Sequence, residues 1–228
     1  GLVDGQVYNF WQDERHIRGI LRRTTLASYA SSSPEWETVL DIDRLAALEN
    51  ANWVYKGRTC LPGATHRCLI HLSDGGTDAV VLREFNLESG QFVDGGFTVP
   101  EAKSRVDWLD ENTLVLGTDY GPGSLTTSGY PRTLRLWRRG SPLAEAEQII
   151  EVPEEDMSVS VITDRAGGSN VSLVMHRPDF FTENTFLLSP DGDLSRIPLP
   201  VDADFRGVLG QYGLVVLRSD CELEAGQR

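Results

Sequence analysis

The stretch from Val106 to Gly140, VDWLDENTLVLGTDYGPGSLTTSGYPRTLRLWRRG, constrains the fold more than any other part of the chain. Trp108-Leu109 opens an apolar patch, Asp110-Glu111-Asn112 is a polar turn, and Thr113 to Gly117 is a strand that ends on a breaker. From Asp119 to Pro131, Gly and Pro are interleaved with Ser and Thr, a composition that favours turns over regular structure. Arg132 to Arg138 then alternates, with Leu134 and Leu136 on one face and basic groups on the other. A turn at Arg139-Gly140-Ser141-Pro142 leads to a further strand at Ile149 to Val152. Strand, turn, strand, long loop, strand, turn, strand predicts one four-stranded antiparallel sheet.

The stretch resembles a blade of the N-terminal β-propeller of the prolyl oligopeptidase family of serine peptidases. The residues that carry the resemblance are Val106-Asp107-Trp108-Leu109-Asp110, Gly117 to Ser124, Ser128 to Arg132 and Trp137-Arg138-Arg139-Gly140. Upstream, Ser33-Pro34-Glu35-Trp36-Glu37 and Asn52-Trp53-Val54-Tyr55-Lys56-Gly57 also look like bacterial members. The resemblance runs from Val7 to Arg165 and thins beyond. It implies a propeller of seven blades, a C-terminal α/β-hydrolase domain as partner, and short peptides as substrates. It also implies an aromatic residue shortly before Trp108 that helps line the substrate cavity. Lys103 and Ser104 stand there instead, so no substrate contact is carried over.

Elsewhere β-prone runs recur. Gln6 to Trp11, Ile17 to Arg23, Trp36 to Leu40, Asn52 to Leu61, Arg67 to Ser73 and Ala79 to Phe85 are expected strands, with Phe92-Val93 continuing. Pro62-Gly63 breaks one of them, and Asp74-Gly75-Gly76 and Glu88-Ser89-Gly90 are turns. One helix is expected, capped by Asp41 or Asp43, with Ile42, Leu45 and Leu48 on its apolar face and an end near Asn50. Val159 to Thr163 and Val171 to Met175 are expected to flank a loop at Ala166-Gly167-Gly168. Thr185 to Leu188 and Leu194 to Leu199 flank Ser189-Pro190-Asp191-Gly192, and Gly207 to Arg218 holds a last pair. Inner strands begin near Trp53, Trp108, Val161 and Val208, at intervals of 55, 53 and 47. Outer hairpins enter their turns at Leu21, Leu72, Leu136 and Leu188, at intervals of 51, 64 and 52. A period near fifty residues matches four-stranded propeller blades. The expected fold is therefore all-β: a partial propeller of four to five blades across residues 1–228, a fragment without the catalytic domain.

Composition narrows the function classes. With 21 Lys and Arg against 34 Asp and Glu, the net charge of −13 opposes nucleic acid and anionic membrane surfaces as partners. No apolar run approaches the ~20 residues of a membrane helix. Three cysteines, Cys60, Cys68 and Cys221, do not make a disulfide scaffold. Reduced thiols and a cytoplasmic location are the expectation, with a Cys60–Cys68 bridge across a hairpin less favoured. A periplasmic location stays open because the chain opens on Gly-Leu-Val rather than Met.

No catalytic, cofactor or metal site is assigned. A G-x-S-x-G nucleophile elbow is missing: Gly121-Pro122-Gly123-Ser124 fails in spacing and Gly167-Gly168-Ser169-Asn170-Val171 at its last position. Cys60, His66, Cys68 and His71 hold zinc-ligand chemistry, but Cys68 and His71 sit an odd number apart on one strand and point to opposite faces. His16 and His176 are expected in turns or on the surface. Glu154-Glu155-Asp156 is more readily a solvated linker than a calcium or substrate site. Trp11, Trp36, Trp53, Trp108 and Trp137 fit sheet packing better than a sugar platform.

The reading is thus the substrate-gating propeller of a prolyl oligopeptidase-like serine peptidase, non-catalytic by itself. The alternatives are a propeller that binds proteins and, less favoured, a propeller glycosidase, which needs two facing acids. A fragment of a ring also exposes blade faces, so self-association is expected. With no nucleophile elbow, the chain incubated with a serine-directed phosphonate should stay unlabelled. Stoichiometric labelling of one serine, read by mass spectrometry, would contradict this.

Overall fold

A computed structural model describes residues 1–61, 63, 66–165, 170–210 and 212–220. The expected breaks at Pro62 and Ala166-Gly167-Gly168, and Cys221, lie outside them. The chain divides into two compact units, Gly1–Lys103 and Ser104–Arg228.

In the first unit, β1 (Leu2–Val3), β2 (Gln6–Trp11), β3 (Ile20–Thr25) and β4 (Glu37–Asp41) form one antiparallel sheet in chain order. Two short helices follow its last strands, α1 (Leu26–Tyr29) after β3 and α2 (Ile42–Glu49) after β4. The second sheet is β5 (Trp53–Cys60), β6 (Arg67–Asp74), β7 (Val80–Asn86) and β8 (Gln91–Phe92), with β9 (Thr98–Ala102) also on β7. Helix α2 is where the sequence places it. Asp41 caps it by accepting from Arg44 N at 2.9 Å, and Asn50 closes it in the left-handed region at φ 51°. Its buried residues are Ile42, Leu45 and Ala46, whereas Leu48 is exposed, because i, i+3, i+4 tracks a 3.6-residue turn and i+6 drifts off the face.

The core of this unit is made face to face. Tyr8, Leu21 and Leu40 of the first sheet meet Cys68, Ile70, Leu72 and Phe85 of the second, with Ile42 and Leu45 filling from α2. Strand β9 is missing from the sequence reading, since Pro100 and Glu101 disguise it. Pro has no N–H to give a ladder and is tolerated here because β9 is an edge. Between β8 and β9 the chain loops out, and the buried Glu84 side chain holds the loop by accepting from Phe97 N and from Arg67 Nη1, both at 2.8 Å.

In the second unit, β10 (Arg105–Asp110), β11 (Thr113–Gly117), β12 (Thr133–Arg138) and β13 (Glu147–Glu151) form the four-stranded sheet predicted from Val106 to Val152. The next sheet is β14 (Ser158–Asp164), β15 (Val171–Arg177), β16 (Asn184–Leu188) and β17 (Leu194–Arg196). A pair, β18 (Asp204–Leu209) and β19 (Tyr212–Val216), follows. Leu134 and Leu136 of β12 pack against Val159, Val161, Val174 and Leu188 of the neighbouring sheet. The opposite face of β12 is covered too: Thr133 and Trp137 are buried and Arg135 lies 4.0 Å over the Tyr120 ring.

Trp53, Trp108, Val161 and Val208 all fall in the first strand of their sheets, so that half of the period is structural. The outer half needs correcting. Leu21, Leu136 and Leu188 lie in third strands, but Leu72 lies in β6, a second strand. The reduced state expected for Cys60 and Cys68 also needs correcting, because the two form a disulfide. They are direct partners in the β5–β6 register, which brings their Cβ atoms together across the hairpin.

Tyr212, Leu214 and Val216 alternate onto one face of β19 and are all exposed, at 59%, 48% and 47%. Such a stripe offers apolar side chains that a second chain could cover. Sedimentation of the isolated chain should show concentration-dependent association that Val216→Lys weakens. A strictly monomeric chain at high concentration would refute this.

Candidate functional site: one end of the second unit

In an antiparallel meander, the loop after the second strand and the exit from the fourth emerge at the same end. For the second unit this collects four segments: the β11–β12 loop, the β13–β14 connection, the β15–β16 loop and the β17–β18 connection. Hydrogen bonds stitch them in series. Thr127 N donates to Glu154 O at 2.9 Å, Met157 N to Arg177 O at 3.0 Å, and Glu183 N to Val201 O at 2.7 Å.

The long β11–β12 loop is a knot rather than a strap. Asp119 accepts from Gly121 N at 2.8 Å, and Ser124 Oγ accepts from Tyr120 N at 2.9 Å. Arg132 donates to Gly123 O at 2.9 Å and to Val152 O at 2.7 Å. Gly121, Gly123 and Gly129 all have positive φ, conformations that these turns demand and that other residues resist. Tyr120 donates its hydroxyl to Leu116 O at 3.0 Å, and burial pushes its pKa above the ordinary value. The Gly/Pro composition therefore encodes tight turns.

The sheets are tied by carboxylates. Asp107 on β10 accepts from Thr163 N of β14 at 2.7 Å and from Trp108 N at 2.7 Å, and pairs with Arg165 at 3.3 Å. Burial raises the Asp107 pKa, while the amide donors and Arg165 oppose that shift. Arg165 also donates to Trp108 O. The device repeats one sheet on, where Asp164 on β14 accepts from Val208 N of β18 at 2.6 Å. These carboxylates are occupied by backbone donors, which makes them ties.

The residues singled out in the sequence separate as follows. His176 is in β15 rather than a turn, and it meets Asp156 at 2.6 Å. That takes Asp156 out of the expected solvated run, while Glu154 and Glu155 are exposed. His16 pairs with Asp13 at 2.9 Å in its turn, and His66 lies 3.4 Å from Asp4. His71 contacts Thr59 Oγ1 at 3.0 Å, on the face opposite Cys68. With Cys60 and Cys68 bonded to each other, neither is a thiolate for a metal. Trp108 and Trp137 are buried, and Trp11 and Trp36 each lie 4.2 Å from the Arg22 guanidinium. Trp53 donates to Glu49 at 2.7 Å. Ser104 bonds Thr118 at 2.8 Å. In the first unit, a cleft of about 630 Å3 lies beside Arg23, whose guanidinium is held by Glu37 at 2.8 and 2.9 Å and by Leu87 O at 2.8 Å.

Sequence reasoning passes over Asp107, Arg165 and the Phe180-Phe181 pair. Asp107 carries a faint signal, because Asp164 repeats an Asp within the first strand of the next sheet. The pair carries another, two adjacent aromatics inside a turn-forming segment.

Comparison with known proteins places residues 3–191 in the family described as prolyl oligopeptidase, N-terminal β-propeller domain. An uncharacterized peptidase of Sinorhizobium fredii is 40% identical over 222 residues, 95% of this chain and 31% of that protein. An uncharacterized peptidase of Rickettsia prowazekii is 30% identical over 95% of this chain and 32% of its own length. The solved post-proline cleaving enzyme of Rickettsia typhi superposes with a TM-score of 0.90 at 29% identity, over 98% of this chain and 34% of that one. The chain spans about a third of the length of these relatives.

His71 supplies a pH test. Burial lowers its pKa from 6.5 to about 4. Below the unfolded value the unfolded chain takes a proton that the folded chain refuses. Stability is thus full above pH 6.5 and is lost as pH falls toward 4, by at most about 3 kcal/mol. Thermal melts across that window should show the loss, and His71→Gln, which keeps a hydrogen-bonding group, should flatten it.

Proposed function

Because this chain belongs to the prolyl oligopeptidase family as its N-terminal β-propeller domain, we propose that it is the gate of a serine peptidase that cleaves short peptides, with the chemistry supplied by a separate α/β-hydrolase domain. The observation that carries this reading is the likeness to the post-proline cleaving enzyme along 98% of the chain. The residue chemistry agrees with a passive role. The recorded partners of the four histidines are Asp13, Asp4, Thr59 and Asp156. Asp107 and Asp164 are held by backbone amides.

A gate of this kind selects by size. A frame of packed antiparallel sheets, with its end loops hydrogen-bonded to one another, does not deform to admit a folded domain. An extended peptide passes because its cross-section is one strand. Specificity for the residue at the cut then belongs to the catalytic domain, and the propeller contributes exclusion.

The test uses the intact polypeptide that carries this chain. It should hydrolyse a short proline-containing peptide and spare the same segment displayed on a folded domain. Unfolding that domain should restore cleavage. Equal cleavage of the peptide and the folded display, or no peptide cleavage at all, would overturn the reading.

A further inference from the structure

Phe180 and Phe181, at 84% and 79%, are the two most exposed large apolar side chains among the described residues. They are adjacent, and they sit on a fixed turn. Asp179 accepts from Phe181 N at 2.7 Å and from Thr182 N at 2.8 Å, and Arg177 pairs with Glu183 at 2.8 Å across the base. A pair held this way loses little conformational freedom on being covered, which is what a docking anchor needs. Val201, 44% exposed, extends the patch, and Glu183 N to Val201 O fixes it there.

The patch lies at the end that gathers the knotted β11–β12 loop and the β13–β14 connection. The other end of the same two sheets carries turns of polar residues, Gly and Pro at Asp110–Asn112, Arg139–Ser141 and Ser189–Asp193. The exposed charges on these segments are mixed, Glu154, Glu155 and Asp179 acidic and Arg177 basic. A protruding apolar knob among mixed charges calls for an apolar pocket with a polar rim.

Relatives of this chain are about three times its length, and the family description calls this part the N-terminal domain. We infer that Phe180 and Phe181 are the anchor by which the propeller docks on the catalytic domain of the peptidase, entering an apolar pocket there. The inference rests on reading the chain as one domain of a peptidase. It adds which side chains hold the two domains together.

Two measurements on unmutated backbone decide it. Hydroxyl-radical footprinting compares Phe180 and Phe181 in the isolated chain, kept dilute, and in the intact polypeptide. Burial of rings now 84% and 79% exposed predicts labelling slower by roughly fivefold in the intact form. Phe181→p-benzoylphenylalanine in the intact polypeptide, irradiated and digested, then identifies the neighbour. Crosslinks into the domain bearing the nucleophile elbow support the inference. Unchanged labelling, no crosslink, or crosslinks to another blade or a second copy overturn it. Peptide hydrolysis is assayed separately. Docking without hydrolysis leaves this inference standing and removes the peptidase reading, and hydrolysis without docking does the reverse.

Discussion

The carboxylate of Asp107 carries a burden out of proportion to its size. A four-stranded antiparallel sheet buries its second face only by lying against another sheet, and apolar contact alone does not fix the register of that contact. Asp107 does so by reaching from β10 to the amide of Thr163 in β14, while Arg165, just past the end of β14, returns to the Trp108 carbonyl. Burying a carboxylate costs free energy, and the raised pKa records that cost. Two amides and a guanidinium offset it, so the tie holds only in the one geometry that aligns them. Asp164 repeats the tie to β18. The wholly buried Trp108, beside this joint, is packed in the place the joint sets.

With sheets fixed this way, their end loops become usable as a wall. The segment Asp119 to Pro131 has a composition that in isolation means conformational freedom. Here its amides and hydroxyls bond to Asp119, Ser124, Thr126 and Glu154, and Arg132 clamps it to the Val152 carbonyl. The gate proposed above must refuse the wrong object without being pushed aside, and these bonds would supply that stiffness. The same end keeps the two aromatic rings of Phe180 and Phe181 in solvent, which costs free energy that the inferred docking would recover.

The candidate site was less legible than the fold, for reasons that individual residues make plain. His176 falls in a strand that the sequence places correctly up to Met175, yet its partner Asp156 lies 20 positions away in a run that looks solvated. Cys60 and Cys68 follow the cross-strand register the hairpin implies, but cysteine count argued for thiols. Phe180-Phe181 lies in a turn-forming segment, but its rings stand at the tip of a fixed turn only because Asp179 folds back on the amides of Phe181 and Thr182.

Local order came from the sequence. β-prone composition and a closing breaker placed β2 and β11 to the residue, and Asp41 or Asp43 and Asn50 marked the ends of α2, because strand propensity and end-capping act over a few neighbouring positions. The spacing of Trp53, Trp108, Val161 and Val208 likewise announced repeated sheets of one design. Tertiary structure decided what lies across a gap in sequence. The Asp107 to Thr163 tie, the split edge of β8 and β9 held by Glu84, and the gathering of four distant segments at one end depend on which sheets face each other. No window of sequence contains those pairs, since the groups that satisfy one another are brought together only when the sheets bury their apolar faces.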